Sequence, residues 1–337
     1  MTFSEDLDQV CELVEDIASS TELPQSSVDL PDISQLLSQL SEAGLTSPAL
    51  DAGDTHSQEV VAATIGTEVG LAKSGIVFPI ADFDLFPRQL TNGTELKTAL
   101  PEGTLLVPWS AIDGEKPVPW SEYAKAFLTY RLTHSGCEIA LFDDFELTDT
   151  TTGIDGSPSS SIRPSAPLSW IPSSMYEHDR VNQIRQTTTL AVIAALLAEV
   201  VKIEVKYTTE RTQFGRPIGR FQAVQRLVSE SAAHAETVAS SAASTLRLLI
   251  AEPDTTVATK IEVISGCLVS FDAIETVVRN SHQAVGAIGT TLEHSLQRYT
   301  RALLKVRRQM TGYTELVDSL SDLLSSTNES AWKVISA

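Results

Sequence analysis

The chain has 337 residues, 42% of them hydrophobic, with 44 acidic against 24 basic side chains and a formal net charge of −20. That length suffices for two or three domains and a sizeable core. The acidic balance excludes nucleic acid or an anionic membrane as the main partner, since both demand a basic face.

Residues 1–98 read as a small helical domain. Leu7, Val10, Leu13, Val14 and Ile17 recur at helical spacing, Pro24 and Pro31 interrupt, and Ile33, Leu36, Leu37 and Leu40 resume until Gly44. After a loop-like acidic stretch at 51–58, a helix over Glu59–Lys73 leads through Gly75 into an aromatic segment, Phe78–Phe86. Over residues 99–173 prolines accumulate and the apolar segments shorten to Thr104–Val107, Ala126–Leu132 and Glu138–Phe142. The last two flank a hairpin connection containing Gly136, so a reduced middle β domain is expected. Residues 174–337 predict a four-helix bundle, with helices over Val181–Tyr207, Phe221–Ile250 and Val257–Val278 and a fourth from near Leu292. The first of these would span roughly 40 Å at about 1.5 Å per residue. Glu199 and Glu204 on it read as solvated or paired helix residues.

Cys11, Cys137 and Cys267 lie too far apart for a disulfide framework or a zinc site, which points to a reducing compartment. The N-terminal residues are acidic and amphipathic, unlike a secretory signal, and the longest apolar run, Leu190–Val201, is too short to span a bilayer and carries Glu199. A soluble cytoplasmic protein is expected. The six histidines show no spacing for a nucleophile or a metal site.

Between the first two bundle helices lies the polar elbow YTTERTQFGRPIGRFQAVQ, residues 207–225, where glycine and proline force the backbone to turn. Its Tyr207, Arg211, Gln213-Phe214-Gly215, Pro217 and Phe221-Gln222 resemble a connection of the acyl-CoA dehydrogenases. A second stretch, residues 281–301, is similar to that family's other flavin-contacting loop through Gln283, Gly286, Gly289, Glu293 and Arg301, with Ala287 replacing one glycine of a pair. The resemblance implies a mainly α fold with a small β domain: an N-terminal helical domain, a middle β domain and a C-terminal four-helix bundle. It also implies that Arg211, Gln213, Phe214 and Gln222, with Gln283 and Gly286, contact an FAD bound mainly by a neighbouring subunit. A guanidinium offers permanently charged, planar donors to a pyrophosphate. Arg216, Arg220 and Arg226 add local positive charge to an acidic chain.

The family's reaction needs a carboxylate base beside the flavin. In many members it follows the arginine matched by Arg301, a position that falls here at Gln309 or Met310; in others it precedes the elbow, at Arg185 or Gln186. None of these is an acid, so no catalytic residue is assigned. The middle domain lacks the family's Thr-Glu and Gly-Ser-Asp loop, and the surroundings of Trp109 and Trp120 do not reproduce its tryptophan strand. Arg298, Arg301, Lys305 and Arg308 lie on one helical face, opposite the apolar stripe, and are read as pairing with carboxylates of this chain or a neighbour or as contacting phosphate. The pattern resembles the short, non-catalytic subunits of actinobacterial heteromeric (α2β2) acyl-CoA dehydrogenases. In those, a longer subunit supplies the glutamate and most of the pocket for bulky substrates such as steroid side-chain CoA thioesters. Two alternatives stand beside it: a self-sufficient homo-oligomeric dehydrogenase with a displaced base such as Glu177, and a flavin-free scaffold.

Overall fold

The computed structural model describes residues 3–20, 33–46, 57–114, 116–251 and 256–326. Pro24, Pro31 and most of the acidic stretch before Ser57 lie outside these. The chain divides into two compact units, mainly residues 28–185 with the N-terminal helix, and mainly residues 186–337.

In the first unit, helices α1 (Phe3–Ser20), α2 (Ser34–Glu42) and α3 (Gln58–Lys73) form as the hydrophobic spacing predicts. Ser57 caps α3, its side chain accepting the Val60 amide. α1 lies against α3 where the latter carries Gly66 and Gly70. A Cβ on Gly66 would stand 2.9 Å from the Leu7 carbonyl, and one on Gly70 would stand 2.7 Å from the Val14 Cβ, so only glycine permits this approach.

Two short helices, α4 (Leu85–Leu90) and α5 (Trp109–Asp113), accompany seven strands: β1 (Thr104–Pro108), β2 (Val118–Pro119), β3 (Ala126–Thr133), β4 (Gly136–Phe142), β5 (Phe145–Thr152), β6 (Pro158–Pro164) and β7 (Ile171–Ser173). They form one sheet of order β1-β3-β4-β7 and another of order β2-β6-β5. β1 runs parallel to β3, and β3 and β4 make the expected hairpin, closing at Thr133 opposite Gly136. Trp120 sits in the core of this unit, stacked edge-on against Phe78 at 5.0 Å, and its indole N–H donates to the Val77 carbonyl at 3.0 Å. It fills the core, satisfied and closed to any ligand.

The bundle helices are α6 (Met175–Glu210), α7 (Gln222–Ala251), α8 (Val257–Val285) and α9 (Leu296–Gln309). α6 is longer than its sequence pattern suggests because its first turns are polar yet buried, and it crosses the boundary between the units. α8 continues seven residues past the expected Val278, so Gln283 belongs to a helix end, and α9 starts at Leu296 instead of near Leu292. A further helix, α10 (Tyr313–Ser326), packs on α8 through Leu316, Leu320 and Leu323, beside Phe271. Its amphipathic spacing escaped the sequence reading.

Two expectations about charged residues fail. Glu204 is fully buried instead of solvated, whereas Glu199 does pair with Lys202 at 3.2 Å. Lys305 is buried too, so the basic stripe of α9 is not one exposed face. The three cysteines are buried and free, and burial pushes the thiols of Cys137 and Cys267 up to about 11 and about 12. Among the described residues no helix is long and apolar enough to cross a membrane.

Candidate functional site

After α6 the chain turns through a two-stranded hairpin, β8 (Thr212–Gln213) and β9 (Arg216–Pro217), with Gln213 paired to Arg216. The two-residue loop is Phe214-Gly215, with φ values of 52° and 75°. Positive φ at both positions is the tight hairpin geometry that favours Asn-Gly, matching the right-handed twist of the strands. Glycine takes it freely. Phenylalanine does not, and left-handed backbone at such a residue costs on the order of 1–3 kcal/mol. Phe214 is also 92% exposed. A residue that is strained and bares most of its apolar ring gains little within its own chain, and such outliers concentrate where a partner or ligand is met.

The rest of the elbow is held firmly. The Arg211 amide donates to the Tyr207 carbonyl at 2.9 Å, and the Ile218 amide to the Arg211 carbonyl at 2.8 Å. The Phe221 ring stands edge-on to Phe214 at 6.2 Å and carries the Arg216 guanidinium 4.3 Å above it. Arg211, Gln213, Arg216, Arg220 and Gln222 all face solvent. The elbow thus offers rigid backbone, an aromatic anchor and several uncommitted donors, a set suited to an anionic, planar ligand or an acidic partner.

The second stretch meets the first through one contact absent from the sequence reading. The Tyr207 ring stands edge-on to His294, centroids 5.7 Å apart. His294 Nδ1 accepts the Leu296 amide at 3.2 Å, and His282 Nε2 lies 3.0 Å from Thr300 Oγ1. Burial lowers the pKa of both imidazoles, and His294 lowers that of His282 further, which favours their neutral forms. Gln283 is exposed on the last turn of α8, and Gly286 caps that helix at φ 77°. Among the described residues no hydrogen bond links the hairpin to Gln283 or Gly286, so contact with one ligand is not prearranged by their own bonding.

The positions that align with the family's base, Arg185 or Gln186 and Gln309 or Met310, carry no carboxylate. Arg185 binds Asp82 through two guanidinium nitrogens, its Nε at 3.1 Å, and lies 4.9 Å over the Phe86 ring. Beside it, Glu68 accepts the Ala81 amide at 2.8 Å, while burial, and then the Asp82 charge, push its carboxyl up to about 8. Gln309 is exposed, and Met310 packs on the α8–α10 cluster near Ser270. Glu177 is buried in the first turn of α6 and accepts from Asn92 at 3.2 Å. No group of metal-ligating side chains exists among the described residues.

Comparison with known proteins agrees with this architecture. Residues 179–317 match the acyl-CoA dehydrogenase C-terminal domain. The acyl-CoA dehydrogenase FadE34 of Mycobacterium tuberculosis is 30% identical over 123 residues, which is 36% of this chain and only 17% of FadE34. The chain therefore spans a small part of that relative. The ChsE4-ChsE5 complex from Mycobacterium tuberculosis contains a chain of similar fold, with TM-score 0.79 and 17% identity over 98% of this chain and 100% of that one. The Tcur3481-Tcur3483 steroid ACAD G363A variant gives 0.77 and 17% over 96% and 99%. Residues 179–317 are thus similar to the C-terminal domain of the acyl-CoA dehydrogenases, and the fold of the chain agrees with that likeness.

Proposed function

We propose that the chain is the short, non-catalytic subunit of a heteromeric FAD-dependent acyl-CoA dehydrogenase. In this reading a longer acyl-CoA dehydrogenase chain holds most of the FAD and acyl-CoA and supplies the glutamate base, in an α2β2 assembly in the cytoplasm. The similar folds found within two-protein complexes, one of them described as a steroid enzyme, favour this over a homo-oligomer and suggest a bulky steroid-like acyl group as substrate. The division into an N-terminal helical domain, a middle β domain and a bundle at 1–98, 99–173 and 174–337 belongs to the same proposal.

The observation that carries it is the contrast between an intact, outward-facing elbow and base positions that carry no carboxylate. Arg211 would offer its permanent charge to the cofactor's pyrophosphate, Gln213 and Gln222 would donate to its polar edges, and Phe214 would seat against the partner. Gln283 and the open backbone of Gly286 are secondary contacts. The donor set fits one side of a dinucleotide, not a whole site. When bound, FAD supplies the hydride acceptor for α,β-dehydrogenation of the thioester. This chain's own residues bind and orient; Arg185, Gln309 and Met310 move no proton.

The test is to purify the chain alone and with a longer acyl-CoA dehydrogenase chain, and to count flavin per assembly. Flavin and activity only in the heteromer are expected. Yellow, active protein from the solitary chain would sink the proposal. So would an Arg211→Ala heteromer with full flavin content, the result a scaffold role demands.

A further inference from the structure

Among the described residues no hydrogen bond holds the hairpin against Gln283 or Gly286, yet a string of contacts runs from one stretch to the other. It starts at His282, the residue before Gln283 in the last turn of α8, whose Nε2 lies 3.0 Å from Thr300 Oγ1 on α9. The one proton of the Thr300 hydroxyl is directed at the Leu296 and Gln297 carbonyls, at 3.2 and 3.3 Å, so its oxygen accepts from His282 Nε2–H. The same first turn of α9 holds His294, whose Nδ1 accepts the Leu296 amide at 3.2 Å. That ring in turn stands at 81° to the Tyr207 ring, centroids 5.7 Å apart, the edge-to-face arrangement that aromatic pairs favour. Tyr207 belongs to the last turn of α6. Its carbonyl accepts the Arg211 amide at 2.9 Å, and the Arg211 carbonyl accepts the Ile218 amide at 2.8 Å.

We propose that His294 is a positioning residue that sets the elbow against the second stretch, with His282 and the first turn of α9 as its support. The choice of side chain fits this role. The Leu296 amide opens a helix and has no intrahelical partner, a need that an asparagine or aspartate meets as well as a histidine does. Only an aromatic ring also reaches Tyr207. The ligand served rests on the proposed function: with the two stretches in register, Arg211 and Gln283 are presented together to one anionic cofactor.

Hydrogen exchange of the chain alone decides the positioning role, whereas the flavin count of the heteromer decides the proposed function, so each can fail without the other. His294→Ala should speed exchange at the Arg211 and Ile218 amides by on the order of two- to tenfold, the worth of one aromatic pair, while amides in the middle of α8 keep their protection. His294→Phe, which keeps the ring and drops the acceptor, should restore that protection. His294→Asn, which keeps an acceptor for Leu296 and drops the ring, should not. Should His294→Ala fail to fold, Tyr207→Leu removes the ring from the other side and should give the same acceleration. The role is overturned by unchanged exchange in His294→Ala or Tyr207→Leu, or by no recovery in His294→Phe. It is equally overturned if His294→Asn is as protected as wild type, which would leave His294 a cap of α9 and nothing more.

Discussion

Two arginines on and just after α6 show how one side-chain type serves opposite ends. Arg185 is bound to Asp82, lies over Phe86 and is about three-quarters enclosed, its charge used within the chain. Arg211, just past the helix end, faces solvent beside an exposed phenylalanine in a strained turn. One place has been closed by ion pairing and the other kept open at a conformational cost. A guanidinium in a sequence therefore says little until its partner is known.

The largest expected effect tests how closed the first place is. Burial pushes the Glu68 carboxyl from 4.5 up to about 8, which favours its neutral form in the fold. The stability this group permits is fully present below the lower value and lost as pH rises through the upper one. The linkage amounts to up to about 4–5 kcal/mol. Denaturant unfolding at pH 5 and pH 8 should show Glu68→Gln resisting the rise in pH better than wild type by most of that amount. Equal pH slopes would mean that the carboxyl is wetter than its surroundings suggest.

Next in size, Arg185→Met should cost about 2–3 kcal/mol, less than the loss of a fully buried pair because both side chains keep about a quarter of their exposure. A neutral outcome in the same unfolding assay would show that the clamp is ornamental. Arg211→Ala should leave the chain's stability within about 0.5 kcal/mol, as surface changes do. In the heteromer it should weaken flavin retention by on the order of tenfold, the loss of a charge-assisted contact. Smallest, Phe214→Asn should stabilise the isolated chain by about 1 kcal/mol, since asparagine accepts the left-handed turn. The same variant should assemble less well with a partner in size-exclusion chromatography. A variant that loses stability would place the strain elsewhere.

The elbow was legible in the sequence because its determinants are local: glycine supplies the positive φ, proline ends the ladder, and both stand within a few residues of Arg211. The bundle was legible by its period. The Arg185 clamp was not, since Asp82 lies 103 residues away and no spacing rule joins them. Glu204 was misread because charge outweighed position. Its place in the series Ile193, Leu197, Val200, Glu204, at steps of four, three and four, continues a buried ridge, and that periodicity was the available signal. The Tyr207–His294 contact depends on the packing of distant segments.

The groove at Gly66 and Gly70 has a consequence for how this chain can diverge. Because α1 rests against bare backbone there, with Leu7, Val10 and Val14 filling the space, a methyl on either glycine would have to be met by loss of bulk on α1. Drift at the amino terminus is thus tied to two positions more than fifty residues downstream. In an alignment of true relatives these columns should vary as a set, which gives a simple criterion for where the common ancestry of such chains begins.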